Sequence, residues 1–213
     1  MPFVLKPMIL KINHSLTTLI LACLGALALP HAAMAQNQRG DDAINEMAQA
    51  VKRDMMARYA GSYHEDRLRN DWLLLLGKRR DWSSFAAEYP KYRMNDDKEV
   101  RCFALLVESV QTGVTTKEMA DEVRRNWYAM RDADDGCTQA ADRFYADKKL
   151  SALDVWREAR ISMETNRARA ASNAVQIVSP DASTLVSEIS ASPLKFLNSR
   201  ATATGKERKE LVT

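Results

Sequence analysis

The sequence predicts an all-α protein built as a superhelical array of short antiparallel helix pairs, a tetratricopeptide-like α-solenoid. Apolar residues recur at helical spacing in one short segment after another, and no strand-like alternation is sustained over a useful length. Glycine and proline are sparse and lie at the segment boundaries, where they end helices. Helix pairs recur at intervals of roughly thirty to forty residues without a strict sequence repeat, which is typical of a solenoid with degenerate repeats.

The clearest unit of the array spans residues 67–108. Its first two helices each have one apolar face, formed by Leu68, Trp72, Leu75 and Leu76 and by Trp82, Phe85, Ala86 and Tyr89. Gly77 is predicted to end the first helix as a left-handed C′ residue. Asp81 is expected to cap the second helix, and Pro90 to end it. Because helices this short cannot bury an apolar face alone, each should pack antiparallel to its neighbours.

Two more helices flank these. One is predicted over residues 44–59, and the Gly-Ser pair at residues 61–62 ends it. The other begins after a cap at Asp96 or Asp97. Its buried face is expected to contain Val100, Phe103, Ala104, Val107 and Val110.

The remaining helices follow the same logic. Thr115 with Glu118 matches a capping box, and the helix it opens has one apolar face, made of Met119, Val123, Trp127 and Met130. A short helix is predicted over residues 137–146. Ser151 with Asp154 forms another N-cap pair, which opens a helix over residues 151–163. The last clearly predicted helix covers residues 168–178.

The first 35 residues have the composition of a secretory signal peptide. Lys6 and Lys11 form a basic start, residues 16–29 are apolar and uncharged, and cleavage is expected between Ala35 and Gln36. The apolar run is short for a stable membrane span. The alternatives are an uncleaved anchor and a lipoprotein that uses Cys23, which would retain the apolar residues after it. The pattern favours export to a bacterial periplasm, with no stable membrane insertion after signal removal.

Cleavage leaves an α-superhelical domain over residues 36–178. Residues 179–213 are predicted to be a weakly structured C-terminal tail or the start of the next helix pair. The net charge of the whole chain is +3, and the signal peptide carries two lysines and no acidic residue. The mature chain is therefore nearly neutral, which gives no electrostatic argument for a nucleic-acid partner.

Cys102 and Cys137 are the cysteines that remain after cleavage. An even pair in an oxidising compartment suggests a disulfide, although two buried thiols would fit the same count. A metal site is poorly supported, because two thiols without neighbouring histidines do not complete a tetrahedral set. No cofactor motif is present either.

The mature chain offers little that points to catalysis. Its one histidine, His64, lies at a helix start beside acidic residues and is expected to be solvated. No Ser-His-Asp set can be assembled, and there is no glycine-rich phosphate loop. The carboxylates are scattered over helix faces and caps, without a matched pair of the kind that glycosidases use. We assign no catalytic residue.

Several stretches together resemble the soluble periplasmic lytic transglycosylase family. They are LRNDWLLLLGKRRDWSSFAAEYP, EVRCFAL, DDGC and ALDVWREARISMETN, and they place the resemblance over about residues 60–178. The match is to the N-terminal superhelical region that precedes the family's lysozyme-like catalytic domain. The resemblance also implies that Cys102 and Cys137 are bridged.

Members of that family cleave peptidoglycan glycan strands between N-acetylmuramic acid and N-acetylglucosamine, with closure of a 1,6-anhydro ring. The catalytic glutamate belongs to a Glu-Ser motif of the lysozyme-like domain. The Glu-Ser pair of this chain, Glu108-Ser109, lies in the superhelical region, so the role does not transfer to it. The resemblance implies a scaffold that guides glycan strands and supports a catalytic domain, and no bond cleavage by these residues alone.

Two readings of function therefore stand beside each other. In the first, the chain is the exported superhelical part of a lytic transglycosylase, and its partners are peptidoglycan strands and the missing C-terminal catalytic domain. In the second, it is a stand-alone periplasmic helical-repeat module that holds a glycan or another periplasmic protein, without enzymatic activity. A third, weaker reading is a helical protein tethered to the membrane by its N-terminal segment.

Overall fold

The computed structural model describes residues 46–200 and confirms the all-α class: within that range the chain forms helices and no strand. The signal peptide and the cleavage site at Ala35-Gln36 lie outside the described residues. The α-helices are α1 (46–58), α2 (Tyr63–Lys78), α3 (Trp82–Glu88), α4 (Lys98–Thr112), α5 (Lys117–Tyr128), α6 (Gly136–Ala146), α7 (Ala152–Glu164), α8 (Ala168–Val178), α9 (Leu185–Ala191) and α10 (Pro193–Arg200). Short 3-10 helices cover Tyr89–Lys91 and Pro180–Ala182.

The chain divides into two compact units, Met1–Met55 and Met56–Thr213. Of the first unit, the structure describes only residues 46–55, which are helical. The second unit contains α2 to α10. The described part of the segment 179–213 is largely helical, and Val186 of α9 and Phe196 of α10 are both buried.

Helix starts follow the capping residues of the sequence. Asp81 accepts a hydrogen bond from the Ser84 N–H. Asp97 accepts hydrogen bonds from the N–H groups of Glu99 and Val100, in the first turn of α4. Ser151 and Asp154, predicted as an N-cap pair, form a capping box at the start of α7. The prediction for α5 is wrong by one residue, because Thr116 is its N-cap. The neighbouring Thr115 hydroxyl bonds instead to Ser109 and Asp147.

Three helices end in the same way, and glycine is not used at any of these ends. Arg80, Lys148 and Asn166 have positive φ angles of 58° after α2, α6 and α7. In each case the N–H of the following residue bonds to a carbonyl five residues back, as in a Schellman motif. The prediction that Gly77 is the left-handed residue is therefore wrong. Gly77 is a buried residue inside α2, and Arg80 makes the turn.

Most helices of the second unit pack against their neighbours in the chain, with α6 and α7 as the exception, and several also pack against their second neighbours. The contacts between second neighbours join α2 to α4, α4 to α6, α6 to α8 and α5 to α7. The core between them is apolar, and its largest fully buried side chains include Phe85, Phe103 and Phe144. Val110, predicted to lie on the buried face of α4, is 42% exposed.

A buried polar network fixes the loop that leads into α4. Asp66 of α2 is 2% exposed, and its carboxylate accepts hydrogen bonds from the backbone N–H groups of Arg93 and Met94. Asn70, one turn later, accepts from the Tyr92 hydroxyl and donates to Asp97. The loop has no secondary structure of its own to satisfy these groups, so α2 supplies their partners.

Candidate functional site

The two cysteines predicted to pair lie at disulfide distance in the middle of the core. The Sγ atoms of Cys102 and Cys137 are 2.07 Å apart, and the Cα atoms are 4.8 Å apart. Both residues are fully buried. The bond joins α4 to α6, which are second neighbours in the chain and direct neighbours in space.

Carboxylates surround the start of α6, next to this bond. Asp134 accepts a hydrogen bond from the Cys137 N–H, and Glu99 of α4 accepts from the N–H groups of Asp135 and Gly136. Burial raises the pKa of Asp134 to about 7, and the nearby charge of Glu99 acts in the same direction. These acids occupy the N–H groups that a helix start leaves without intrahelical partners.

A second buried acid lies in α7. Glu158 is 1% exposed and accepts a hydrogen bond from the Ser162 hydroxyl through Oε1, while its Oε2 has no hydrogen-bond partner among residues 46–200. Burial raises its pKa. Arg167 lies 3.8 Å away and also donates to the Met130 carbonyl. Raised carboxyl pKa values are a property of general acids, but Asp134 and Glu158 are enclosed by protein and line none of the grooves described below.

The other residues singled out in the sequence lie apart from one another. His64 is exposed near the start of α2, in edge contact with the rings of Tyr59 and Tyr63. Glu108 is exposed on α4, whereas Ser109 is fully buried with its Oγ 2.7 Å from the Thr115 hydroxyl. The geometry gives the Glu-Ser pair no shared site.

Residues 46–200 bring no three histidine, cysteine, aspartate or glutamate side chains into a set that could hold a metal ion. In the same range, no helix combines the length and the apolar composition that a membrane crossing needs.

The groove between α6 and α8 is the best candidate for ligand binding. It has a volume of about 390 Å³, within the range of about 300–1,000 Å³ typical of small-molecule pockets. It is lined by polar side chains and one aliphatic side chain: Thr138, Gln139, Asp142, Asn173, Gln176 and Ile177. No lysine or arginine is among them.

The side-chain amides that line this groove make no hydrogen bonds within the described part of the protein. Among the residues that the structure describes, none accepts from or donates to the side chains of Gln139, Asn173 and Gln176. Gln139 and Asn173 each lie beside a fully buried alanine of their own helix, Ala140 and Ala174, so the backbone at these two positions is held by the core. The arrangement presents carboxamides on a rigid surface.

Sequence reasoning assigned no ligand to these residues. A signal was present, because polar residues recur three apart in both helices, at Gln139 with Asp142 and at Asn173 with Gln176. Spacing of this kind places side chains on one helix face but does not say which other helix that face meets. Only the packing of α6 against α8 brings the two polar faces together.

In two other grooves, several of the charged side chains are paired within the protein. In the groove between α3 and α4, Arg101 forms a bidentate ion pair with Glu122 and also donates a hydrogen bond to the Tyr89 hydroxyl. In the groove beside the start of α7, Asp121 pairs with both Lys117 and Arg124. These ion pairs fix the side chains that form them, and the paired charges are less available to a ligand.

Comparison of the chain with protein-family models, with curated proteins and with solved structures gives no match in any of the three.

Proposed function

We propose that this chain is the exported N-terminal α-superhelical scaffold of a peptidoglycan lytic transglycosylase. In this proposal the scaffold holds and guides glycan strands in the periplasm. Cleavage between N-acetylmuramic acid and N-acetylglucosamine belongs to a lysozyme-like domain outside these residues. The resemblance in sequence carries the family assignment.

One observation supports the proposal most directly. Two of the motifs that carry the resemblance, EVRCFAL and DDGC, meet in the core, where Cys102 and Cys137 lie at disulfide distance. A fully buried disulfide fits an oxidising compartment such as the periplasm. Closure of the loop between the two cysteines restricts the unfolded chain, as expected for an exported domain of modest size.

The helix contacts support the solenoid arrangement within this proposal. In a solenoid each helix packs against its chain neighbours, and alternate helices stack into a layer. The succession α2, α4, α6 and α8 follows this scheme, and the contact of α5 with α7 gives the beginning of a second layer. Such stacking creates extended surfaces of the kind that hold polymers.

A second candidate function is a stand-alone periplasmic module that binds a glycan or a protein without belonging to an enzyme. The α6–α8 groove favours a binding role of either kind, since its carboxamides have no partner in the described part of the chain. On α10, Leu194 and Leu197 are 76% and 63% exposed. Apolar side chains exposed together fit contact with a further domain or another periplasmic protein.

The test is the size and activity of the native protein. A periplasmic extract is separated in a peptidoglycan-containing gel, and the protein is detected with an antibody against residues 63–200. A band several times heavier than the 24.0 kDa chain that clears peptidoglycan supports the scaffold proposal. A band no heavier than the chain, without clearing, contradicts it and leaves the stand-alone module.

A further inference from the structure

We propose that the loop 129–135 and the turn 165–167 open locally when two buried carboxyl groups beside them, Asp134 and Glu158, lose their protons. The protein is then closed at this point in acid and opens there as the pH approaches neutrality. The inference goes beyond the proposed function, and it holds whether or not the chain belongs to an enzyme.

Two carboxyl groups are buried in segments that lie next to each other. Asp134, in the loop before α6, is 6% exposed, and Glu158 of α7 is 1% exposed. Burial is the main reason why the pKa of Asp134 is raised, and the charges of Glu99 and Glu158 act in the same direction. Ionisation of both groups in the closed protein is therefore unfavourable.

The hydrogen bonds of Glu158 would leave its charge incompletely compensated. Its Oε1 accepts from the Ser162 hydroxyl at 2.7 Å, while Oε2 is buried without a hydrogen-bond partner among residues 46–200. A buried carboxylate oxygen without a donor costs free energy until water or a cation reaches it. Opening of the segments around it admits that water.

One guanidinium serves both segments. Arg167, immediately before α8, donates to the Met130 carbonyl at 2.9 Å, and the same nitrogen lies 3.8 Å from Oε1 of Glu158. Among the described residues, no other cation lies within ion-pair distance of Glu158, and none lies within that distance of Asp134. A single cation that is also bound to a carbonyl faces two acids.

The groups that face the pair from α4 and α5 add no positive charge. Glu99 of α4 is itself an acid, and it accepts hydrogen bonds from the N–H groups of Asp135 and Gly136. Tyr128, at the end of α5, lies near Glu158 and donates its hydroxyl proton to the Asp154 carbonyl. Neither side chain favours the ionised form of the two buried acids.

The disulfide confines the opening to the loop. Cys137, whose N–H donates to Asp134, is joined to Cys102 of α4, and both cysteines are fully buried. The start of α6 is therefore anchored to α4. Loss of the Asp134 proton then displaces the loop 129–135 and leaves the helix in place.

The direction of the pH effect follows from the two acids. Burial raises the pKa of Asp134 from 3.8 to about 7, and it raises the pKa of Glu158 as well. The closed form keeps protons that the open form releases. Opening is therefore favoured as the pH rises from about 4 to about 7, and the contribution of Asp134 levels off above that range.

The experiment measures hydrogen exchange of the purified full chain, with its disulfide intact, at pH 5 and at pH 7.5. Mass spectrometry of peptides resolves the exchange, and the rates are corrected for the intrinsic effect of pH. The test variants are Asp134→Asn and Glu158→Gln, which keep an acceptor oxygen and cannot ionise. The matched controls are Asp132→Asn and Glu164→Gln, which are exposed in the same loop and the same helix.

We expect the opening constants of the amides in residues 129–135 and 165–167 to rise about tenfold or more from pH 5 to pH 7.5. These amides should exchange faster than the core amides of α4 and independently of low urea concentrations, which identifies local opening. Both test variants should reduce the rise, and both controls should keep it. No rise in the parent, or a rise that survives in both test variants, overturns the inference. A rise with the same urea dependence as α4 also overturns it, because global unfolding would then be the cause.

A second measurement needs no variant. Carbon-detected NMR of the parent follows the side-chain carboxyl groups of Asp134 and Glu158 during a pH titration. Both should titrate at higher pH than the exposed Asp132 and Glu164, and the amide shifts of the loop 129–135 should follow the same midpoint. Titration of both buried carboxyl groups together with the exposed acids overturns the inference, even if a variant fails to fold.

Discussion

Gly77 lies directly against the ring of Phe103: a Cβ atom at residue 77 would stand 2.5 Å from Cδ2 of that ring. Gly136, at the start of α6, approaches the same ring, and a Cβ there would lie 2.9 Å from Cδ2. The fully buried Phe103 of α4 therefore contacts α2 and α6 at two positions where only glycine fits. The ring limits how closely α2 approaches α4, and at Gly136 it does so together with the Glu99 carbonyl oxygen, which would lie 2.6 Å from the added Cβ.

The first prediction concerns Gly77→Ala. In an ordinary helix interior this change stabilises by about 0.5–1 kcal/mol, since alanine is the better helix former. Here we expect destabilisation by about 1–3 kcal/mol, because the methyl group would overlap the Phe103 ring. Urea unfolding measures the change.

A double-mutant cycle with Phe103→Leu isolates this contact. The smaller side chain should reduce the cost of Gly77→Ala, with a coupling of about 1 kcal/mol or more. A cost that is the same in both backgrounds would show that the ring is not responsible.

The second prediction concerns the disulfide. Mass mapping of a non-reduced digest should find the Cys102 and Cys137 peptides linked. The double variant Cys102→Ala with Cys137→Ala should lose about 3–4 kcal/mol, because the bond closes a loop with a sequence separation of 35. Two freely alkylated thiols in the native protein would contradict the assignment.

The third prediction concerns pH and Asp134. Burial raises the pKa of this carboxyl from 3.8 to about 7 in the folded protein. Between these values the folded protein keeps a proton that the unfolded chain has released, so stability falls as the pH rises through this window. Asp134→Asn keeps the acceptor for the Cys137 N–H and cannot ionise. It should flatten the decline between pH 4 and pH 7 by about 1–4 kcal/mol.

Asp132→Asn is the matched control for this measurement, because Asp132 is exposed in the same loop. Its pH profile should follow that of the parent. An unchanged slope in Asp134→Asn would mean that Asp134 does not carry the effect.

The fourth prediction concerns the left-handed turn residues. Arg80 and Lys148 adopt φ angles of 58°, a region that costs most residues about 1–2 kcal/mol. Arg80→Gly and Lys148→Gly should each stabilise the protein by about 0.5–1 kcal/mol, as glycine enters this region at no steric cost. Asn166→Gly should gain less, because asparagine already tolerates the conformation. Equal gains at all three positions in thermal unfolding would contradict this account.

The fifth prediction concerns the loop before α4. Asp66→Ala should destabilise by about 2–4 kcal/mol, because it leaves the N–H groups of Arg93 and Met94 without their acceptor. Asp71→Ala, on the exposed side of the same helix, should change stability by less than about 0.5 kcal/mol. Similar losses for both would show that the network adds little.

Local sequence signals predicted the helices because each signal acts within one or two turns. The Ser151 cap and the helix over residues 168–178 lie where periodicity and capping chemistry place them. The predictions failed where a residue far away in the chain determines the local structure. A glycine at position 77 is typical of the end of a helix. The structure shows that glycine is needed there because the Phe103 ring leaves no room for a Cβ atom, and Arg80 adopts the left-handed conformation that ends the helix.

The sequence by itself determined the all-α class, most of the helix starts and the spacing of the polar residues in α6 and α8, since all of these depend on residues a few positions apart. Only the tertiary structure decided that those polar faces meet, that Asp134 and Glu158 lose their contact with water, and that Glu108 and Ser109 point to different environments. The physical reason is that burial and groove formation depend on which helix faces which. That choice is made by contacts between residues far apart in the chain.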